Sequence, residues 1–139
     1  MANQYLLLAF GCIITAVLIG GCSGASSTPD PVIRTVPPTE AYALIHEMGQ
    51  RPEFVIIDVR RPDEFAAGHI PGAVNIDSAT FPEYITGLDP GGVYVVYCQR
   101  GGRSAGVCTM MQEAGFGEVY EIEGGISAWK VAGLPVTGE

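Results

Sequence analysis

The sequence predicts an α/β fold built on a parallel sheet, and three observations carry the prediction. From Val32 onward, short β-branched and aromatic runs alternate with helix-forming stretches, the rhythm of crossover units rather than of hairpins. The run Val93-Tyr94-Val95-Val96-Tyr97 contains no breaker and reads as a buried strand. Pro38 and Pro62 stand where helices begin, at positions whose missing N–H costs nothing.

In chain order, the signals give a short strand at 33–35, a helix at 39–48 behind Pro38, and a strand at 54–59. A one-turn helix at 62–66 opens on Pro62. A strand at 73–75, a helix at 79–87 and the buried strand at 93–97 come next. A helix at 104–114, a strand at 118–121 and a last helix at 126–131 complete five short strands flanked by helices. A chain of 139 residues has length for one core of ordinary size. The net charge of −8 argues against nucleic acid as a partner, because phosphate binding needs a basic footprint.

The first thirty residues form a separate unit. Positions 5–20 are apolar apart from Thr15, and Ile19-Gly20-Gly21-Cys22-Ser23 follows. Small residues before a cysteine at the end of an apolar run resemble the lipobox of secreted lipoproteins, which implies cleavage before Cys22 and lipidation of that residue. Met1-Ala2-Asn3-Gln4 carries no Lys or Arg, and an uncleaved anchor helix is the alternative. Either reading expects the domain at a membrane surface, and the lipoprotein reading puts it on the extracytoplasmic face, periplasmic or at the cell surface. Residues 23–31, rich in Ser, Thr and Pro, have the composition of a flexible tether. The expected division is a signal peptide at 1–21, a lipidated cysteine and tether at 22–31, and one domain at 32–139.

Chemistry concentrates in Cys98-Gln99-Arg100-Gly101-Gly102-Arg103-Ser104. A cysteine at the end of a strand, before a Gly-containing loop and a helix N-terminus, meets unpaired N–H groups and the positive end of the helix dipole. These surroundings lower the thiol pKa and favour the nucleophilic thiolate. Gly101 and Gly102 permit the backbone to curl its N–H groups inward. A small buried core thiol is the alternative, but two arginines and two glycines make a poor core segment and a good anion cradle.

This loop resembles the active-site loop of the rhodanese family, whose motif opens with Cys, has Gly fourth and Arg sixth, and ends on Ser or Ala opening a helix. The likeness extends to Ile57-Asp58-Val59-Arg60-Arg61-Pro62-Asp63-Glu64-Phe65, to Gly68-His69-Ile70-Pro71-Gly72-Ala73-Val74-Asn75-Ile76, to Ala114-Gly115-Phe116 and to Gly124-Gly125-Ile126-Ser127-Ala128-Trp129. It implies a rhodanese-like, five-stranded, mainly parallel sheet with helices on both faces. It also implies a sulfurtransferase that moves sulfane sulfur from a donor such as thiosulfate to a thiophilic acceptor through a Cys98 persulfide. The expected donor is a small sulfur-containing anion, and the acceptor a thiol, cyanide or a thioredoxin-like protein. No cofactor is needed, and a monomer is expected.

Within that reading, Gln99 through Ser104 aim backbone N–H groups at the outer sulfur, Arg100 meets the sulfonate of the donor, and Arg103 braces the loop or shares that role. Asp58, Arg60 and Glu64 are read as structural, with Arg60 and Glu64 paired across their turn and Asp58 holding neighbouring backbone amides. His69 is read as a packed turn residue and Trp129 as core. Cys12 lies in the leader, and Cys108 is a buried small residue with a resolving disulfide to Cys98 as the alternative. No Cys-x-x-Cys or His cluster suggests a metal.

Two rivals stay open. A phosphatase or arsenate reductase on the same fold would place five residues between Cys and Arg, whereas four lie between Cys98 and Arg103 here, a ring that suits one sulfur better than a tetrahedral oxyanion. A persulfide carrier without turnover, or a partner-binding module, would need the same loop.

Overall fold

The structure is a computed structural model, and it describes residues 30–138. The proposed signal peptide, Cys12, Cys22 and most of the tether lie outside the described residues. Among the described residues no helix is long and apolar enough to cross a membrane.

Five strands, β1 (Val32–Val36), β2 (Phe54–Asp58), β3 (Val74–Asn75), β4 (Val93–Tyr97) and β5 (Glu118–Ile122), form one sheet in the order β1-β5-β4-β2-β3. Every ladder between these strands is parallel, so the sheet is parallel throughout. The crossovers are α1 (Pro38–Met48), α2 (Pro62–Ala66), α3 (Phe81–Tyr84) with a 3₁₀ turn at Ile85–Gly87, α4 (Gly102–Glu113) and α5 (Gly125–Val131).

Strand alternation splits the core into two layers. Val93, Val95 and Tyr97 of β4 pack with Ala41 and Met48 of α1 and with Ile126 and Trp129 of α5. Tyr94, Val96 and Cys98 point the other way, against Phe81 of α3 and Val107, Cys108 and Met111 of α4. Both faces of β4 are therefore buried, as its unbroken apolar run predicts.

Two predicted helices change on folding. The helix expected at 79–87 is reduced to α3 and its 3₁₀ turn. Pro82 suits only a first turn, and the sequence Ile85-Thr86-Gly87 propagates a helix poorly. The helix expected to begin at Ser104 begins at Gly102, because Gly101 adopts φ 109° as its N-cap and its carbonyl accepts the Ala105 N–H at 3.1 Å. Arg103 therefore stands in the first turn of α4.

From β2 the chain runs outward to β3, and from β4 it runs the opposite way to β5. The boundary between β2 and β4 is thus a topological switch point, where ligands of open α/β sheets bind at the carboxyl ends of strands. Asp58 ends β2 there and Arg60 lies just beyond it, and Cys98 follows β4.

Candidate active site

Cys98 sits immediately beyond β4, buried at 1% exposure. Its carbonyl oxygen accepts the Ile126 N–H at 2.9 Å, and that of Gln99 accepts the Ser127 N–H at 3.1 Å, so the first turn of α5 pins the loop from behind. Gly125 makes this approach possible. At φ 61°, a Cβ there would collide with the Cys98 carbonyl oxygen and come within 2.7 Å of the Gln99 carbonyl carbon.

The sulfur faces the inside of the loop. Gly101 donates its N–H to Sγ at 3.0 Å, and the Ser104 hydroxyl lies 3.4 Å away. Burial pushes the thiol pKa up. The hydrogen-bonding groups of the loop, at Ser104, Gly101 and Arg100, pull it down, and the net direction is down. This arrangement of N–H dipoles around one sulfur is what stabilises an anion in a water-poor site.

Other predicted residues divide. Arg100 is exposed at the loop tip, and Gly102 opens α4. Gln99 turns its amide inward, donating to Ser127 Oγ at 2.9 Å and accepting from Arg60 at 3.3 Å, so its side chain ties the loop to α5 and to Arg60. Arg103 braces the loop. It donates to both carboxylate oxygens of Glu64 at 2.8 and 2.9 Å, which pulls Glu64 down to about 2, first through these bonds and against the cost of burial.

The expected pairing of Arg60 with Glu64 is corrected. Arg60 binds Asp58 instead, with Nε at 3.1 Å from both oxygens and a second nitrogen at 2.7 Å, and also donates to the Gly68 carbonyl at 2.6 Å. Asp58 additionally accepts the Arg60 backbone N–H at 2.9 Å. Both side chains are buried, 5% and 0% exposed. Glu64 looks away from Arg60 because Arg103, arriving from α4, offers it a two-pronged partner. Tertiary closure decides this pair, and no local spacing announces it.

His69 stacks on Phe65 at 3.7 Å between ring centroids and donates Nδ1–H to the Phe65 carbonyl at 2.9 Å. Trp129 is buried and donates to the Pro135 carbonyl at 2.9 Å. Cys108 is buried in α4, and burial, then the nearby charges of Glu121 and Cys98, push its thiol up to about 12. No group of three or more His, Cys, Asp or Glu side chains that could hold a metal ion occurs among the described residues.

Sequence reasoning missed the separate roles of Gly125 and Ser127 and passed over Glu121 altogether. The Gly124-Gly125 pair was visible as a motif, but its use, backbone against backbone behind the nucleophile, depends on where α5 docks.

Comparisons with known proteins agree with this geometry. A model of the family described as rhodanese-like domain matches residues 38–132. The chain is 36% identical over 97 residues to the thiosulfate sulfurtransferase GlpE of Pseudomonas fluorescens, covering 70% of this chain and 84% of that protein. A crystal structure of a rhodanese-related protein from Thermoplasma volcanium superposes with a TM-score of 0.67 at 29% identity, covering 76% of this chain and 99% of the other. A protein of unknown function from Rhodopseudomonas palustris, described as a possible tyrosine phosphatase, superposes with a TM-score of 0.64 at 33% identity, covering 76% and 85%. By fold, motif and sequence, the chain belongs to the rhodanese-like domain family.

Proposed function

We propose that the protein is a sulfurtransferase in which Cys98 takes the outer sulfur of thiosulfate or a similar small anion, holds it as a persulfide and yields it to a thiophilic acceptor. The observation that carries this reading is the Cys98 sulfur enclosed by its own loop, with the Gly101 N–H aimed at it from 3.0 Å. In the first half-reaction Sγ attacks, the Sγ–S bond forms, the S–S bond of thiosulfate breaks, and sulfite leaves with the electron pair. In the second, an acceptor such as cyanide attacks the outer sulfur, thiocyanate leaves and the thiolate returns. The loop N–H groups stabilise the anionic sulfur in both, and Arg100 at the tip is placed to steer the donor.

The phosphatase reading needs an arginine free to grip a tetrahedral oxyanion. The Arg103 guanidinium is engaged by Glu64, and the four-residue spacing makes a tight loop, so both features favour sulfur. We further propose that the lipobox-like segment anchors the domain through Cys22 outside the cytoplasm, which places sulfur exchange at a membrane surface.

The test is thiocyanate formation from thiosulfate and cyanide, run beside hydrolysis of a generic phosphomonoester. Thiocyanate production that disappears in Cys98→Ala, with no phosphate release, is the expected result. Phosphate release dependent on Cys98 would overturn the reading.

A further inference from the structure

Ser104 has one hydroxyl hydrogen and three acceptors around it. Its oxygen lies 2.6 Å from Glu121 Oε1, 3.2 Å from the Gly101 carbonyl oxygen and 3.4 Å from Cys98 Sγ. A hydrogen bond to an ionised acceptor is shorter and about twice as strong as one between neutral groups, so the carboxylate holds the hydrogen. Ser104 then turns a lone pair toward Cys98, and the donors left to Sγ are backbone N–H groups, Gly101 foremost.

The sheet builds this contact. Strand alternation puts Val119 of β5 and Val96 of β4 on the α4 face, and Glu121, two residues past Val119, shares that face. Glu121 is in register with Val96, two residues before Cys98. Thr35 of β1 fixes the carboxylate by donating to its other oxygen at 3.2 Å.

We propose that Glu121 is a positioning residue that withholds the Ser104 hydrogen from the Cys98 sulfur and thereby drives negative charge off Sγ onto the outer sulfur of the loaded persulfide. The second half of this inference rests on the sulfur-transfer reading. When Sγ attacks the donor and sulfite departs with its electron pair, no proton moves, and the anion shifts one S–S bond, about 2 Å, from the thiolate to the outer sulfur. Charge on Sγ faces a lone pair backed by a carboxylate. Charge on the outer sulfur lies farther from both, so the loaded form gains relative to the empty one.

Two other ionisable groups of α4 feel the Cys98 charge. Arg103 remains a cation bound to Glu64, and Cys108, pushed up to about 12, remains a neutral thiol. Neither changes charge where Cys98 titrates.

The test is made on the full-length chain with Glu121→Gln, which keeps the size of the side chain and supplies an amide donor to Ser104, freeing the hydroxyl hydrogen for Sγ. Iodoacetamide labelling of Cys98 against pH is read on the Cys98 peptide by mass spectrometry. The midpoint is expected to move down in Glu121→Gln, with labelling below the midpoint about threefold faster. Equilibrium loading of Cys98 with sulfur from thiosulfate falls in the same variant. In a Ser104→Ala background the effect of Glu121→Gln on the midpoint shrinks. An unmoved or raised midpoint, or an undiminished effect without Ser104, would overturn the withholding role. A lowered midpoint with unchanged loading would overturn the charge-driving role alone. A lowered midpoint in a protein whose wild-type form never takes up sulfur would instead overturn the sulfur-transfer reading.

Discussion

Arg103 and Glu64, 39 residues apart, are joined by two hydrogen bonds of 2.8 and 2.9 Å that tie the first turn of α4 to α2. The pair takes a cation that could have faced the pocket and uses it to hold the loop. Because the pair pulls Glu64 down to about 2, its contribution is complete above the ordinary carboxylate range and is lost as the pH falls toward about 2. Both side chains retain solvent contact, at 37% and 22% exposure, so screening limits the pair to about 0.5–1 kcal/mol. Urea unfolding of Glu64→Gln is expected to show a deficit of that size at pH 7 that closes on acidification. A deficit independent of pH would point to packing instead.

A much larger penalty is expected at Arg60. Its removal leaves Asp58 buried at 0% exposure with no cation, and breaking one partner of such a pair costs about 3–5 kcal/mol. Arg60→Ala should lose stability on that scale by chemical denaturation. Arg60→Lys should recover only part of it, because an ammonium cannot serve two Asp58 oxygens and the Gly68 carbonyl in one plane.

The two described cysteines should separate by reactivity. With Cys98 lowered by its loop and Cys108 pushed up to about 12, iodoacetamide at neutral pH should label Cys98 and spare Cys108 in the native protein. Peptide mass spectrometry reads this directly. Cys108→Ala should retain sulfur transfer and cost about 1–2 kcal/mol of stability for the lost buried atom. A loss of transfer in that variant would restore the resolving role.

Gly125 should tolerate no side chain. Gly125→Ala places a methyl against the Cys98 and Gln99 backbone at a positive φ, a strain of about 1–3 kcal/mol before any displacement. The expected outcome is a folded protein, visible by circular dichroism, with Cys98 labelling slowed and sulfur transfer reduced by about tenfold or more, since donor N–H groups misplaced by less than an ångström lose much of their effect. Unchanged activity would show that α5 does not shape the loop.

How much was legible in the sequence follows from how local each feature is. The buried strand β4, the nucleophile after it and the glycine that turns the loop lie in one run, residues 93–101, so nine contiguous residues announce them. The packed role of Trp129 follows from its helical spacing to Ile126, and that of His69 from the family resemblance of the Gly68-His69-Ile70 segment. Glu64 could not be assigned to Arg103, nor Asp58 to Arg60 in full, because competing partners lie at similar local spacing and only the docking of α4 decides between them. Glu121 was invisible for the same reason, since a glutamate in a short strand signals nothing until β5 is laid beside β4 and α4 brings Ser104 to it. The break in the helix expected at 79–87 was readable from Pro82 and Gly87 but was overridden by the apolar residues between them.

The central claim is that Cys98 itself carries the sulfur. Its most direct test is peptide mass spectrometry of the protein after exposure to thiosulfate, and again after addition of cyanide. The account predicts a gain of one sulfur atom on the Cys98 peptide, its disappearance with cyanide as thiocyanate is released, and no gain in Cys98→Ala. Sulfur found on another residue, or a Cys98 that never gains mass, would contradict it.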